Sequence, residues 1–136
     1  MRCASATALA VLALAGCGDG SSPVRDDLMA GIERARSTHD DHRLRTELSA
    51  TLRRLAADDA QTARDGRARR LALRGFALLR AAATSRIAFV ENDSGSLFAA
   101  KRDARRAYHA SLRGGELVRE AARLYGRTVA LPGPSR

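Results

Sequence analysis

The sequence predicts an all-α fold, a small antiparallel four-helix bundle. Three observations carry that expectation. Apolar residues recur every three or four positions in four separate segments, the spacing that lines one face of an α-helix. Between those segments lie short runs of Ser, Thr, Asn, Asp and Gly, residues that end one helix and cap the next. Nowhere does the chain alternate apolar and polar residues with the period of two that a half-buried strand requires.

The first helix is expected from about Val24 to Ser37, with Val24, Leu28, Ile32 and Ala35 on its apolar stripe. Asp26 and Asp27 fall in its first turn, where carboxylates suit the positive end of the helix dipole. The second is expected from Asp41 to Ala57, with Leu44, Leu48, Leu52 and Leu55 on one face. Asp58 and Asp59 interrupt that stripe, which places a break between them and Gly66.

The third helix is expected from about Arg67 to Glu91. Ala68, Ala72, Phe76, Leu79, Ala83, Ile87 and Val90 form its stripe, flanked by Leu71, Leu78 and Phe89. Residues 92–96, Asn-Asp-Ser-Gly-Ser, read as a turn with a hydroxyl for capping. The fourth helix then runs to about Tyr125. Its heptad a and d positions are Leu97, Ala100, Ala104, Ala107, Ser111, Gly114, Val118, Ala121 and Tyr125, a narrow seam of small residues that lets two backbones approach closely. Gly114 and Gly115 also permit a break, since each glycine costs about 1 kcal/mol against alanine inside a helix. The bundle therefore covers residues 24–127, and residues 128–136, with Pro132 and Pro134, read as a loose tail.

One charge breaks the third stripe. At about 100° per residue Arg86 projects into the apolar arc beside Ala83 and Ile87. It requires either a carboxylate partner, for which Glu47, Asp93 and Asp103 are candidates, or a path along the core to water.

Ahead of the bundle, Met1-Arg2 supplies one positive charge, and residues 4–15 are uncharged and rich in Ala and Leu. That run matches a signal-peptide core and is shorter than the ~20 residues a membrane span needs. It ends in Leu14-Ala15-Gly16-Cys17, which resembles the lipobox of bacterial lipoproteins. The resemblance covers these residues only. It implies removal of residues 1–16, a diacylglycerol thioether on Cys17 with further acylation (palmitate being one such chain), and export to the extracytoplasmic face of the cell membrane. Residues 17–23 then form the lipidated start and a Gly/Ser/Pro tether. The other cysteine, Cys3, leaves with the leader, so the mature domain holds neither a disulfide nor a thiolate ligand, and its stability must come from its core.

Charge is unevenly spread. Residues 18–61 carry seven arginines against nine acids, a net of −2, whereas residues 62–136 carry sixteen basic residues against six acids, a net of +10. The second half is the one that attracts polyanions. Its basic positions fall in two clusters: Arg64, Arg67, Arg69, Arg70 and Arg74 on the third helix, and Lys101, Arg102, Arg105 and Arg106 on the fourth. In an antiparallel hairpin the clusters lie toward opposite ends. Anionic lipid or wall polymer suits such a surface better than nucleic acid. Base stacking needs several aromatic side chains, and Tyr108 is the one expected beside the basic positions.

Two imidazoles and two carboxylates, His39, Asp40, Asp41 and His42, fall within four consecutive positions between the first two helices. These are ligand types suited to a divalent metal. Adjacent residues at a helix start point in different directions, however, so a solvated turn with one aspartate as cap competes with a metal site. Catalytic motifs are lacking: Ser85, Ser94, Ser96 and Ser111 sit in no nucleophile pattern, and no glycine-rich phosphate loop follows a strand. The sequence thus points to a membrane-tethered, non-enzymatic interaction or structural domain of the cell envelope, without a cofactor. Metal binding through His39 and His42, or polyanion binding through the basic half, stand as alternatives.

Overall fold

The structure, a computed structural model, describes residues 21–92 and 95–133. The expected leader at residues 1–16 and Cys17 lie outside them. Four helices and no strand occur among the described residues: α1 (Pro23–Ser37), α2 (Asp41–Ala57), α3 (Ala63–Val90) and α4 (Leu97–Arg123). None of these helices is long and apolar enough to cross a membrane.

Each helix starts on a side chain that accepts a backbone N–H. Ser22, Asp40, Thr62 and Ser96 do so for Arg25, Arg43, Asp65 and Ala99 respectively. The Thr62 cap moves the start of α3 four residues ahead of the expected Arg67, and Gly66 is carried inside the first turns. Pro23 follows the first cap, where its missing N–H is no loss. The ends of α1 and α2 fall at Ser37 and Ala57, as the apolar periodicity predicts.

The helices run antiparallel. Thr38 Oγ1 donates to Glu47 Oε2 at 2.7 Å between α1 and α2. Arg69 Nε donates to the Leu55 carbonyl at 2.7 Å, and its Nη2 to that of Ala56, so α3 begins where α2 ends. Together the Arg69 bonds satisfy carbonyls that the end of α2 would otherwise leave open.

The core is a continuous cluster built from Val24, Leu28 and Ile32 of α1, Leu44, Leu48 and Leu55 of α2, Ala72, Phe76 and Ala83 of α3, and Val118, Ala121 and Ala122 of α4. Small residues set the helix separations. A Cβ on Gly75 would lie 2.7 Å from Val118 Cγ2, and one on Gly114 would lie 2.8 Å from the Gly75 carbonyl oxygen. The α3 and α4 backbones therefore touch directly, and α4 continues unbroken through Gly114 and Gly115.

Two expectations are corrected at the far end of this hairpin. Val90 and Leu97, placed on apolar seams by periodicity, are 79% and 69% exposed, and Phe89 is 47% exposed. Periodicity identifies a face but not whether another helix extends far enough to cover it. Here α1 and α2, with 15 and 17 residues, are much shorter than α3 and α4, with 28 and 27. The C-terminal segment also departs from a loose tail. Gly126 turns the chain with φ of 69°, and beyond it Val129 and Leu131 pack partly buried against the core. Leu131 reaches a cleft shared with Ala35, Leu44, Leu48 and Leu79.

Candidate functional site

Along the outer side of the α3–α4 hairpin, near its turn, lies an open groove of about 920 Å³. Leu78, Ala81 and Ser85 of α3 form one wall, and Phe98, Lys101, Arg102, Arg105, Arg106, His109 and Ala110 of α4 form the other. The groove borders the seam that Gly75, Gly114 and Val118 form: Leu78 Cβ lies 3.1 Å from where a Cβ on Gly114 would stand, and the other lining residues fan outward from there. Phe98 is 81% exposed.

The electrostatics of this groove are one-sided. Among the described residues four cations line it and no carboxylate does. Asp103, between them in sequence, turns away and accepts from Arg102 Nε at 3.2 Å, its own side chain only 13% exposed. Lys101, Arg105 and Arg106 have no ion-pair partner among the described residues. His109 stacks edge-on against Tyr108, with ring centroids 5.5 Å apart. Apolar walls with unpaired cations at the rim suit a ligand that is both anionic and amphiphilic.

The second basic cluster takes on different work. Arg69 caps α2 as described, Arg67 Nη2 lies 3.3 Å from Glu120 Oε1, and Arg64 sits 5.4 Å over the Tyr125 ring. Arg70 and Arg74 are exposed along the same flank. The two clusters are separated along the hairpin, as an antiparallel arrangement requires.

At the base of the bundle the polar groups are closed off. Asp65 is 3% exposed, and its Oδ1 accepts from Tyr125 Oη at 2.6 Å and from Ser22 Oγ at 2.8 Å. The Tyr125 bond, with help from Ser22 and Thr62, holds the Asp65 carboxyl below the usual carboxylate range despite its burial. Burial, and then the same Asp65 contact, pushes the Tyr125 hydroxyl up to about 12. Nearby, burial and the adjacent Asp27 push the Asp58 carboxyl up, and Asp58 Oδ2 is buried without a hydrogen-bond partner among the described residues.

The four residues with metal-ligand chemistry are drawn apart. Asp40 caps α2, Asp41 Oδ1 meets Arg86 Nη2 at 2.6 Å, and His42 Nε2 lies 3.0 Å from Glu91 Oε1. His39 lines the cleft beside Leu131, which Asp41 also borders while it is held by Arg86. Among the described residues no three His, Cys, Asp or Glu side chains converge as a metal site.

Arg86 is paired, and its partner is Asp41 rather than Glu47 or Asp103; Asp93 lies outside the described residues. Arg86 also donates to Ser111 Oγ at 3.2 Å, while Glu47 is occupied by Thr38 and Arg43. Both members of the pair remain about one-third exposed, at 35% and 29%.

Sequence reasoning missed Phe98 as a site residue. It falls off the a/d seam and stands one helical turn before Lys101 and Arg102, a spacing that places an aromatic beside cations. Compared with known proteins, the chain matches no family model, no curated protein and no solved structure.

Proposed function

We propose that this chain is a lipid-tethered, non-enzymatic interaction domain of the cell envelope, exported and held at the membrane through Cys17, with its α3–α4 groove as the binding surface for an anionic partner. The observation that carries the binding proposal is the groove itself, where apolar walls stand beside Lys101, Arg105 and Arg106 with no neutralising carboxylate among the described residues. The tether proposal rests on the Leu14-Ala15-Gly16-Cys17 box after its uncharged run.

Cationic clefts raise the local concentration of anions and speed their arrival, and this attraction weakens with salt over a screening distance of about 10 Å at 0.1 M. Binding through Lys101, Arg102, Arg105 and Arg106 thus requires a folded surface and low to moderate ionic strength. The metal alternative through His39 and His42 has less support, because Asp40, Asp41 and His42 are engaged by other groups.

Two measurements test the proposal. Cells fed an alkyne fatty acid should label the wild-type protein, and Cys17→Ala should lose the label and the membrane attachment that survives high salt; unlipidated wild-type protein in the medium would remove the tether. On an anionic matrix the folded protein should elute at higher salt than the same chain unfolded in urea. Equal elution would remove the groove as a binding surface.

A further inference from the structure

The groove is one end of a longer cationic face. At about 100° per residue, Arg67, Arg70 and Arg74 project within an arc of about 80° that also contains Leu78, Ala81 and Ser85. The Arg67–Glu120 bridge, at 3.3 Å, joins the same face of α3 to α4 near the base. Arg70 and Arg74 therefore continue the row that Lys101, Arg102, Arg105 and Arg106 begin. The clusters lie toward opposite ends of the hairpin but on one side of it.

That side ends in exposed apolar side chains. Phe98 projects with the row, and Phe89, Val90 and Leu97 surround the same end of the hairpin, all uncovered. An exposed aromatic tip continuous with a row of cations matches a particular surface: acyl chains below, phosphates above. A soluble wall polymer supplies the phosphates but gives the tip nothing to enter, and the free charge is concentrated toward that tip, since nearer the base Glu120 answers Arg67 and Glu116 answers Arg113.

We infer that the outer face of the α3–α4 hairpin docks flat on an anionic phospholipid bilayer, with Phe89 and Phe98 at the headgroup boundary and the arginine row over the phosphates. Basic side chains near such a surface each add attraction that salt screens, and aromatic rings favour the interface. The inference deepens the binding proposal and rests on it. It is geometrically consistent with the tether, because Cys17 precedes Ser22 at the bundle base by five residues, a reach of at most about 18 Å. Lipid would then hold one end of the domain and the aromatic tip the other.

The chain has no tryptophan, so a single introduced indole reports its own surroundings. The full chain is produced in cells as the Phe98→Trp variant, purified from membranes, and reconstituted in phosphatidylcholine vesicles with or without phosphatidylglycerol. On phosphatidylglycerol vesicles the indole at the tip should emit to the blue and be quenched by brominated acyl chains. The same probe placed on α1 by Glu33→Trp, at an exposed position, should do neither. Adding Arg105→Ala and Arg106→Ala to the tip variant should lower the docking constant about thirtyfold. Vesicle-bound protein whose tip indole stays in water overturns the docking and leaves the tether standing. A tip indole that enters the bilayer from a chain found to carry no lipid supports the docking and overturns the tether. A blue shift without vesicles, growing with protein concentration, would assign the tip to a second copy and overturn the inference.

Discussion

The two ends of this bundle are built on opposite terms. At the base, the buried Asp65 carboxylate accepts hydrogen bonds from Ser22 before α1 and Tyr125 after α4, and its backbone N–H donates to Thr62 before α3, so three chain segments are closed against water at a single point. At the other end α3 and α4 outrun their neighbours, and Val90, Leu97 and Phe98 stand in solvent above Lys101, Arg105 and Arg106, which have no ion-pair partner among the described residues. Polar atoms are buried and apolar atoms exposed, the inverse of what stability alone would select. The base commits its chemistry to folding, and the tip leaves its chemistry available.

The contrast is tested most severely by making the same change at both places along α3–α4. Phe76 is fully buried in the core, and Phe76→Ala should destabilise by about 3–5 kcal/mol. Phe98→Ala should move stability by less than about 0.5 kcal/mol while weakening attachment to anionic vesicles. Urea unfolding of the two variants decides it, and comparable losses would mean that the tip is part of the core.

A smaller effect is expected from the base. Asp65→Ala strands the Tyr125 hydroxyl and should cost about 1–3 kcal/mol near neutral pH. Because the folded-state pKa of Asp65 is depressed, its contribution is present above the ordinary carboxylate range and is lost as pH falls through the folded value. The alkaline limb has the opposite origin. Unfolded tyrosine ionises near about 10 whereas Tyr125 holds its proton to about 12, so stability should fall across that interval and Tyr125→Phe should flatten the fall. Thermal melts across pH report both limbs.

Arg86→Met comes next. The Arg86–Asp41 pair is partly open to water, so its loss should cost about 1–2 kcal/mol rather than the roughly 3–5 of a fully buried pair. A double-mutant cycle with Asp41→Asn should recover part of that loss. The smallest change is expected for His39→Ala with His42→Ala, whose melting temperature and zinc content should match the wild type. Stoichiometric zinc that survives dialysis and vanishes in the double variant would restore the metal reading.

Most of the fold is legible in the sequence because helices announce themselves locally. The ends of α2, Asp41 and Ala57, follow from stripe and cap residues alone. What escapes depends on distance. The partner of Arg86 is Asp41, forty-five positions away, and only the antiparallel packing of α2 on α3 brings them together. Val90 and Leu97 carry the right period but lack a covering helix, a fact about relative helix lengths that no single segment contains. Val129 and Leu131 are too few to form a periodic pattern, yet they pack against the core, and Leu131 lines the cleft beside α1 and α2. The cationic cluster is visible as composition, whereas the groove and the place of Phe98 in it require the hairpin to be assembled.

The Ser22–Asp65 bond also has a mechanical consequence. A pull between α1 and the hairpin tip acts along the helix axes, and ahead of α1 it loads this buried hydrogen bond of 2.8 Å. Behind it, Val24, Leu28 and Ile32 are loaded together in shear along the length of α1 rather than peeled away one at a time. The domain thus meets the stretch that a lipid at one end and an adhering tip at the other would exert with a whole helix in shear.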